Sequence, residues 1–320
     1  MDKDLALGLV RVTEAAALGS AKLMGRGDKN AADQEAVDGM RRMFDALNIR
    51  GTVVIGEGEL DEAPMLYIGE KVGCGDENSI EVDIAVDPLD GTNLVARGLP
   101  NALAVVAVAK KGCLLHAPDM YMNKIAVGPK AAGCVDINAP LSENIKRVAA
   151  ALGKSVEDVT VIMLDRERHQ GLMDEVRKVG ARMKLITDGD IASAIATGFE
   201  DTGVDIMVGI GGAPEGVIAA AAIKCLGGDM QGKLYPLNDE ERKRCKEMGI
   251  DDCDKVLMLD DIVKGDEVYF AATGVSDGDL LKGVVYLQKD MAKTQSVVMR
   301  AKTGTIRFIN TIHNLKKNKR

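Results

Sequence analysis

The segment Val86–Asn93 of this 320-residue chain places two carboxylates and a hydroxyl in one predicted turn. Residues 80–87 alternate between apolar and polar types, which is typical of a half-buried strand. Pro88 cannot donate a ladder hydrogen bond, so we expect this strand to end at Asp87. Asp87 and Asp90 then project from one rigid turn, where two like charges oppose each other's ionisation unless a hard divalent cation binds them. The segment therefore predicts a cation site.

Further carboxylates stand at the carboxyl ends of predicted strands or at the starts of predicted helices. These are the edges where ligands bind in open α/β sheets. With the two aspartates of the turn, the set is Asp33, Glu57, Asp61, Asp87, Asp90 and Glu215. Any one of them is also explained as a helix cap or a solvated turn residue, but six acids flanked by glycines favour a metal centre. An all-oxygen set fits Mg2+ or Mn2+, whereas zinc would call for histidine or cysteine.

Other catalytic chemistries have weaker support in the sequence. No G-x-S-x-G segment accompanies the three histidines, which we interpret as structural: His116, His169 and His313. Gly56-x-Gly58 and Gly209-x-Gly211 both follow predicted strands, as a dinucleotide-binding loop would. Each lacks the third glycine of such a loop, because Asp61 and Pro214 occupy those positions. The sequence therefore disfavours a dinucleotide enzyme and a serine hydrolase.

Composition restricts the partners and the compartment. The chain has 41 Lys and Arg against 49 Asp and Glu, a net charge of −8, which argues against non-specific nucleic-acid binding and an anionic membrane surface. No run approaches the ~18 apolar residues of a membrane span, and the N-terminal apolar run is too short for a signal peptide. Six cysteines without a C-x-x-C pair are expected to be buried thiols. We therefore expect a cytoplasmic protein that binds neither nucleic acid nor membranes.

Alternating helices and strands must position these side chains, and this alternation indicates the α/β class. In the first half, Asp33 is expected in the first turn of a helix whose N-cap lies in the segment 28–30, and strands are predicted at 52–55, 80–87 and 102–109. In the second half, strands are predicted at 160–164, 182–187 and 204–210, with helices from about 169, 190 and 215. A capping-box pattern at 155–158 predicts a boundary near residue 150. We expect an N-terminal metal-binding α/β domain, 1–150, and a C-terminal α/β domain with substrate-binding loops, 151–320.

Taken in order along the chain, the motifs resemble those of the class II (GlpX-type) fructose-1,6-bisphosphatases. The segments that carry the resemblance are Gly25–Asp33, Ile55–Leu66, Asp87–Thr92, Ala117–Met122 and Gly209–Gly216. The Asp-Pro-x-Asp-Gly-Thr element alone would indicate only the wider lithium-sensitive phosphatase superfamily, which includes inositol monophosphatases. The acidic loop after Ile55, Tyr121 and the last glycine loop narrow the resemblance to class II.

The resemblance implies a layered α+β sandwich, the sugar-phosphatase fold of the fructose-bisphosphatase/inositol monophosphatase superfamily. It also implies a gluconeogenic enzyme, active in carbohydrate and glycerol metabolism, that hydrolyses the 1-phosphate of fructose 1,6-bisphosphate to fructose 6-phosphate and inorganic phosphate. By motif, Mn2+ or Mg2+ would be bound by Asp33, Glu57, Asp87, Asp90 and Glu215. Substrate contacts would come from Asp90, Gly91, Thr92, Tyr121, Arg166, Glu167, Arg168, Asp188, Gly189, Asp190 and Gly212. Position 90 is often Glu in this family, so the shorter Asp90 would shift the metal.

Within that family, the residue types predict distinct catalytic and binding roles. The Thr92 hydroxyl would orient the attacking water, and Asp61 would accept its proton. Lys29 and the positive helix end after Pro214 would hold the transferring or leaving oxygens. The pair Arg166 and Arg168 would bind the distal phosphate, unless the two are merely a surface pair at a strand end. We expect the enzyme to be a homo-oligomer, a dimer or a tetramer.

Two alternatives stay open at this point. One is a broader phosphatase that also takes sedoheptulose 1,7-bisphosphate, or that acts on inositol or nucleotide phosphates. The pair Arg166 and Arg168 favours a substrate with a second phosphate. The other alternative is a sugar-phosphate sensor that kept the fold and lost the chemistry, which the presence of every predicted ligand and of Thr92 disfavours.

Overall fold

The computed structural model describes residues 5–58 and 65–317. The chain forms two compact units, one made of Met1–Gly112 with Glu267–Arg320 and the other of Cys113–Asp266. This division differs from the predicted boundary near residue 150, which falls inside a helix of the second unit. The reason is that strands from the C-terminal segment pair with strands of the first unit, so that unit is discontinuous in sequence.

Helices and strands alternate along much of the chain. The helices among the described residues are α1 (Leu5–Ser20), α2 (Lys29–Phe44), α3 (Thr92–Arg97), α4 (Leu141–Leu152), α5 (Gln170–Val179), α6 (Asp190–Ala196), α7 (Ala213–Leu226), α8 (Asp239–Glu247) and α9 (Leu259–Ile262). The strands are β1 (Arg50–Ile55), β2 (Lys71–Val72), β3 (Glu81–Asp90), β4 (Leu103–Lys110), β5 (Tyr121–Val127), β6 (Thr160–Leu164), β7 (Arg182–Ile186), β8 (Ile206–Gly212), β9 (Asp229–Tyr235), β10 (Leu257–Met258), β11 (Val268–Gly274), β12 (Val285–Leu287), β13 (Met291–Arg300) and β14 (Thr305–Asn314). None of these helices is both long and apolar enough to cross a lipid bilayer.

The first unit is built on a mixed sheet with the strand order β12-β13-β11-β4-β3-β1-β2, and β14 pairs with β13. β3 is parallel to β1 on one side and antiparallel to β4 on the other, and β4 is antiparallel to β11. The apolar side of α1, with Leu9, Val12 and Ala16, is fully buried in a core shared with α2 and the sheet. Residues 103–109 of β4 are all buried, so the strand predicted at 102–109 is confirmed and is covered on both faces.

The second unit has its own mixed sheet, in the order β10-β9-β5-β8-β6-β7. β6 is parallel to β7 and β8, and β5 is antiparallel to β8 and β9. One face of this sheet packs on α4 and α5 through a buried cluster that includes Ile145, Val148, Met173 and Val176. α7 contacts β5, β8 and β9 and packs against α6. Two mixed sheets with helices confirm the predicted mixed α/β class.

The strand that leads into the acidic turn is longer than predicted. β3 runs to Asp90 rather than ending at Asp87, and its register with β4 shifts between these two residues. The irregularity accommodates Pro88, because a residue in a bulge need not donate a ladder hydrogen bond. In the final hairpin, β13 and β14 pair along their whole length, from Arg300 with Thr305 to Met291 with Asn314.

Candidate active site

In the first unit, the predicted acidic segment consists of the end of β3, Gly91 in the left-handed conformation and the start of α3. Asp87 Oδ1 accepts a hydrogen bond from the Leu89 amide at 3.0 Å, and Asp90 is 5% exposed. Gly91 has φ +92°, and a Cβ there would lie 2.7 Å from the Leu94 side chain, so both conformation and space require glycine. Thr92 is half-buried as the first residue of α3. Both carboxylates and the hydroxyl therefore stand on one short, rigid segment.

Asp33 and Glu57 lie elsewhere in the first unit. The Asp28 side chain accepts from the Ala31 amide at 3.0 Å, which confirms the predicted helix cap. α2 then begins at Lys29, which is exposed, so Asp33 falls just beyond the first turn rather than within it. Burial raises the pKa of the Asp33 carboxyl.

Glu57 follows the end of β1, where the backbone is tightly packed. Its amide donates to the Leu66 carbonyl at 3.0 Å, and a Cβ on Gly56 would lie 1.9 Å from that same oxygen. Any side chain at position 56 would clash with this carbonyl, so the backbone that positions Glu57 requires glycine there. Asp61, the predicted proton acceptor, lies outside the described residues.

Glu215 is the predicted metal ligand of the second unit, at the third position of α7. Its Oε2 atom is buried and has no hydrogen-bond partner among the described residues. A Cβ on Gly212 would lie 1.7 Å from this oxygen. Burial raises the pKa of Glu215, the negative charge of Asp190 raises it further, and the charge of Lys124 lowers it. A buried carboxylate oxygen without a donor is costly unless a cation binds it, so this group fits an oxygen-coordinated divalent ion.

No three His, Cys, Asp or Glu side chains converge to hold a metal ion within residues 5–58 and 65–317. The donor chemistry at Asp90 and Glu215 nevertheless suits Mg2+ or Mn2+, because each supplies carboxylate oxygen and is shielded from water. The complete ligand set stays a prediction.

Lys124 is a residue of the second unit that the sequence analysis missed. It is 1% exposed on β5, and its ammonium donates to Asp190 Oδ2 at 2.5 Å and to the Gly212 carbonyl at 2.9 Å. Both acceptors belong to residues predicted to contact substrate. A lysine within the largely apolar segment Tyr121–Val127 is the signal that was available, because lysine is almost never fully buried unless it is paired.

The two predicted phosphate-binding arginines are held by backbone carbonyls. Arg168 donates through Nε and Nη2 to the Ile210 carbonyl at 3.1 and 2.8 Å, and its guanidinium lies 4.9 Å from the centre of the Tyr121 ring. Arg166 donates to the Thr187 carbonyl at 2.7 Å, next to Asp188. Tyr121 and Arg168 are therefore in contact, and hydrogen bonds to backbone carbonyls orient the guanidinium groups of both arginines.

The segment 188–190 turns from β7 into α6. Gly189 has φ +80° and its amide contacts Asp188 Oδ1 at 3.2 Å. Asp190 is buried at the first position of α6, where Lys124 holds it. Glu167, between Arg166 and Arg168 in sequence, is exposed in a short 3-10 turn.

Comparison with known proteins identifies the family. The family described as bacterial fructose-1,6-bisphosphatase, glpX-encoded, matches residues 3–313. The chain is 50% identical over 328 aligned positions to fructose-1,6-bisphosphatase 1 class 2 of Escherichia coli strain K12, covering 98% of this chain and 96% of that protein. A fructose-1,6-bisphosphatase class 2 of Shigella flexneri matches with the same identity and coverage. This chain therefore belongs to the GlpX-type family of bacterial fructose-1,6-bisphosphatases.

Proposed function

We propose that this protein hydrolyses the 1-phosphate of fructose 1,6-bisphosphate, giving fructose 6-phosphate and inorganic phosphate in gluconeogenesis. The observation that carries the proposal is the Asp87–Thr92 turn, in which two carboxylates and a hydroxyl stand on one rigid segment. Membership of a family whose relatives are named class 2 fructose-1,6-bisphosphatases supports the substrate.

Divalent cations, Mn2+ or Mg2+, are part of the proposal. In the first unit Asp33, Glu57, Asp87 and Asp90 would be ligands, and in the second unit Glu215 would be one. When bound, such ions neutralise phosphate charge and lower the pKa of coordinated water. The buried Oε2 atom of Glu215 supports this assignment because it has no donor among the described residues.

The chain's own groups would handle the water and the leaving oxygen. The Thr92 hydroxyl orients the attacking water, and Asp61 accepts its proton. Lys29, exposed at the first position of α2, holds the leaving or transferring oxygens through its charge.

Substrate recognition would fall to groups at the carboxyl ends of β6, β7 and β8 and to the turn after β3. Arg166 and Arg168 bind the distal phosphate, and Asp188 and Asp190 accept hydrogen bonds from sugar hydroxyls. The remaining proposed contacts are Asp90, Gly91, Thr92, Tyr121, Glu167, Gly189 and Gly212.

Phosphate release tests this function directly. We expect Mn2+- or Mg2+-dependent release from fructose 1,6-bisphosphate that exceeds release from inositol monophosphate or a nucleoside monophosphate at equal concentration, and no release with EDTA. Equal or faster release from sedoheptulose 1,7-bisphosphate would extend the substrate range to sugar bisphosphates in general. Activity that persists in EDTA would contradict the metal-dependent mechanism, and binding without release would indicate a sensor.

A cytoplasmic location and a homo-oligomeric state, dimer or tetramer, complete the proposal. All six cysteines are free thiols, which is typical of a reducing compartment, but only Cys225, Cys245 and Cys253 are buried as expected. Cys113 and Cys134 are half-buried, and Cys74 is exposed. Exposed apolar side chains on the final strands, among them Phe308 and Ile312, offer material for a subunit interface. Light scattering coupled to size-exclusion chromatography would measure the oligomeric state.

A further inference from the structure

Lys124 is a buried charge with no role in the function proposed above. It occupies the fourth position of β5 and is 1% exposed. Burying an ammonium costs free energy unless the charge is both paired and hydrogen-bonded. Lys124 meets that condition with Asp190 Oδ2 at 2.5 Å and the Gly212 carbonyl at 2.9 Å. Its side chain is thereby committed to two residues proposed to contact the substrate.

The glycine segment Gly209–Gly216, which spans the end of β8 and the start of α7, packs closely around this ion pair. A Cβ on Gly211 would lie 2.1 Å from Asp190 Oδ2 and 3.0 Å from Lys124 Nζ. A Cβ on Gly216 would lie 3.2 Å from Lys124 Cδ. Only glycine fits against the pair at Gly211 without a shift. The pair and the glycine segment therefore set each other's positions.

Lys124 also balances charge in this part of the second unit. Asp190 and Glu215 are close enough for the negative charge of Asp190 to act on Glu215, and Lys124 acts on Glu215 with the opposite sign. The ammonium thus pairs with Asp190 and also offsets part of the effect of the Asp190 charge on Glu215. Without it, Asp190 would lose its cation and would be free to turn away from the sugar-binding position.

We propose that Lys124 is a positioning residue of the hydrolase, which holds the Asp190 carboxylate and the Gly212 carbonyl in the single arrangement that binds the sugar. Its role is indirect, because the side chain is 1% exposed and the ammonium donates to these two groups. Because Lys124 orders Asp190 and the glycine segment before the substrate binds, less conformational entropy is lost on binding. This inference rests on the proposed bisphosphatase function.

The test is Lys124→Met, since methionine reproduces most of the length of the lysine stem without the ammonium. In the metal-loaded enzyme we expect KM for fructose 1,6-bisphosphate to rise about tenfold or more, with a smaller change in kcat, because Asp190 and Gly212 are proposed to bind the sugar. Affinity for fructose 6-phosphate, measured by calorimetry, should fall by a similar factor. A KM within twofold of wild type would overturn the inference.

A double-mutant cycle separates positioning from a general structural role. If Lys124 acts through Asp190, then Lys124→Met should lower kcat/KM by a much smaller factor when Asp190→Asn is already present, and the remaining effect would come through the Gly212 carbonyl. Effects that multiply fully would overturn the inference. Should Lys124→Met alone fail to fold, the double variant, which removes both charges of the buried pair, can still be compared with Asp190→Asn.

The matched control is Lys154→Met, which breaks another lysine–aspartate pair of the second unit. Lys154 Nζ donates to Asp205 Oδ1 at 2.6 Å, and neither residue is proposed to contact the substrate. We expect this variant to keep the wild-type KM, and a KM increase equal to that of Lys124→Met would overturn the inference. Absence of phosphate release by the wild-type enzyme would instead overturn the proposed function itself.

Discussion

His169 Nε2 accepts a hydrogen bond from the Ile210 amide at 2.8 Å. Nδ1 must then carry the proton, and it donates to the Leu164 carbonyl at 2.8 Å. The neutral ring thus ties the end of β6 to β8, and Arg168 binds the carbonyl of the same Ile210. The prediction that this histidine is structural agrees with these contacts, and its neighbours show that it also supports the arginine proposed to bind phosphate.

Stability should depend on pH through His169. Burial lowers the pKa of its imidazole below the ordinary 6.5. Between the lowered pKa of the folded state and the ordinary pKa of the unfolded state, the unfolded chain binds a proton that the folded chain does not. The contribution of His169 to the free energy of unfolding is therefore complete above pH 6.5 and is lost as the pH falls below 6.5. We expect the difference in unfolding free energy between wild type and His169→Gln to shrink by about 1.4 kcal/mol per pH unit in that window.

Urea unfolding in EDTA at several pH values from 7.5 to 5 would measure this difference. A constant difference between wild type and His169→Gln across this range would contradict the prediction.

Thr92→Ala should abolish most turnover while the fold is kept. Thr92 is half-buried at the start of α3, so loss of its hydroxyl removes few contacts. We expect kcat to fall by roughly 10²- to 10⁴-fold, the range for loss of a group that manages a proton transfer. Thr92→Ser keeps the hydroxyl and should stay within about tenfold of wild type. Near-wild-type turnover by Thr92→Ala would remove the role assigned to this residue.

Arg168→Lys should weaken binding of the distal phosphate even though the charge is kept. Lysine cannot reproduce the two hydrogen bonds to the Ile210 carbonyl or the guanidinium contact with Tyr121. We expect KM for fructose 1,6-bisphosphate to rise about tenfold, with KM for fructose 1-phosphate unchanged. Arg182→Lys, at an exposed ion pair of the same unit, is the control. Equal increases for both substrates would show that Arg168 does not bind the distal phosphate.

Metal binding should stabilise the fold through Glu215. A ligand that binds only the folded state adds about 2.7 kcal/mol at a concentration of 100 Kd. We expect Mn2+ to raise the melting temperature of the wild type, and Glu215→Gln to require at least about tenfold more Mn2+ for the same shift. The exposed Glu157 gives the control variant, Glu157→Gln. Identical Mn2+ titrations for wild type and Glu215→Gln would contradict the assignment of this ligand.

Several strands escaped sequence analysis for identifiable reasons. β5 contains Asn123 and Lys124, which interrupt its apolar pattern, and β9 contains a glycine and several polar residues. β5 pairs with β8 on one side and with β9 on the other, and both partners are far from β5 in sequence. The division into units was missed for a similar reason, because β11 pairs with β4 although the whole second unit lies between them in the sequence.

The sequence by itself determined the local features that depend on residues a few positions apart. Gly91 breaks the chain between a strand and a helix next to Asp87, Asp90 and Thr92, and the motifs in order were enough to indicate the family. Tertiary structure alone decided which distant residues support that chemistry, as when Lys124 meets Asp190. Such contacts depend on the path of the chain between their partners, and a sequence pattern reports only residues a few positions apart.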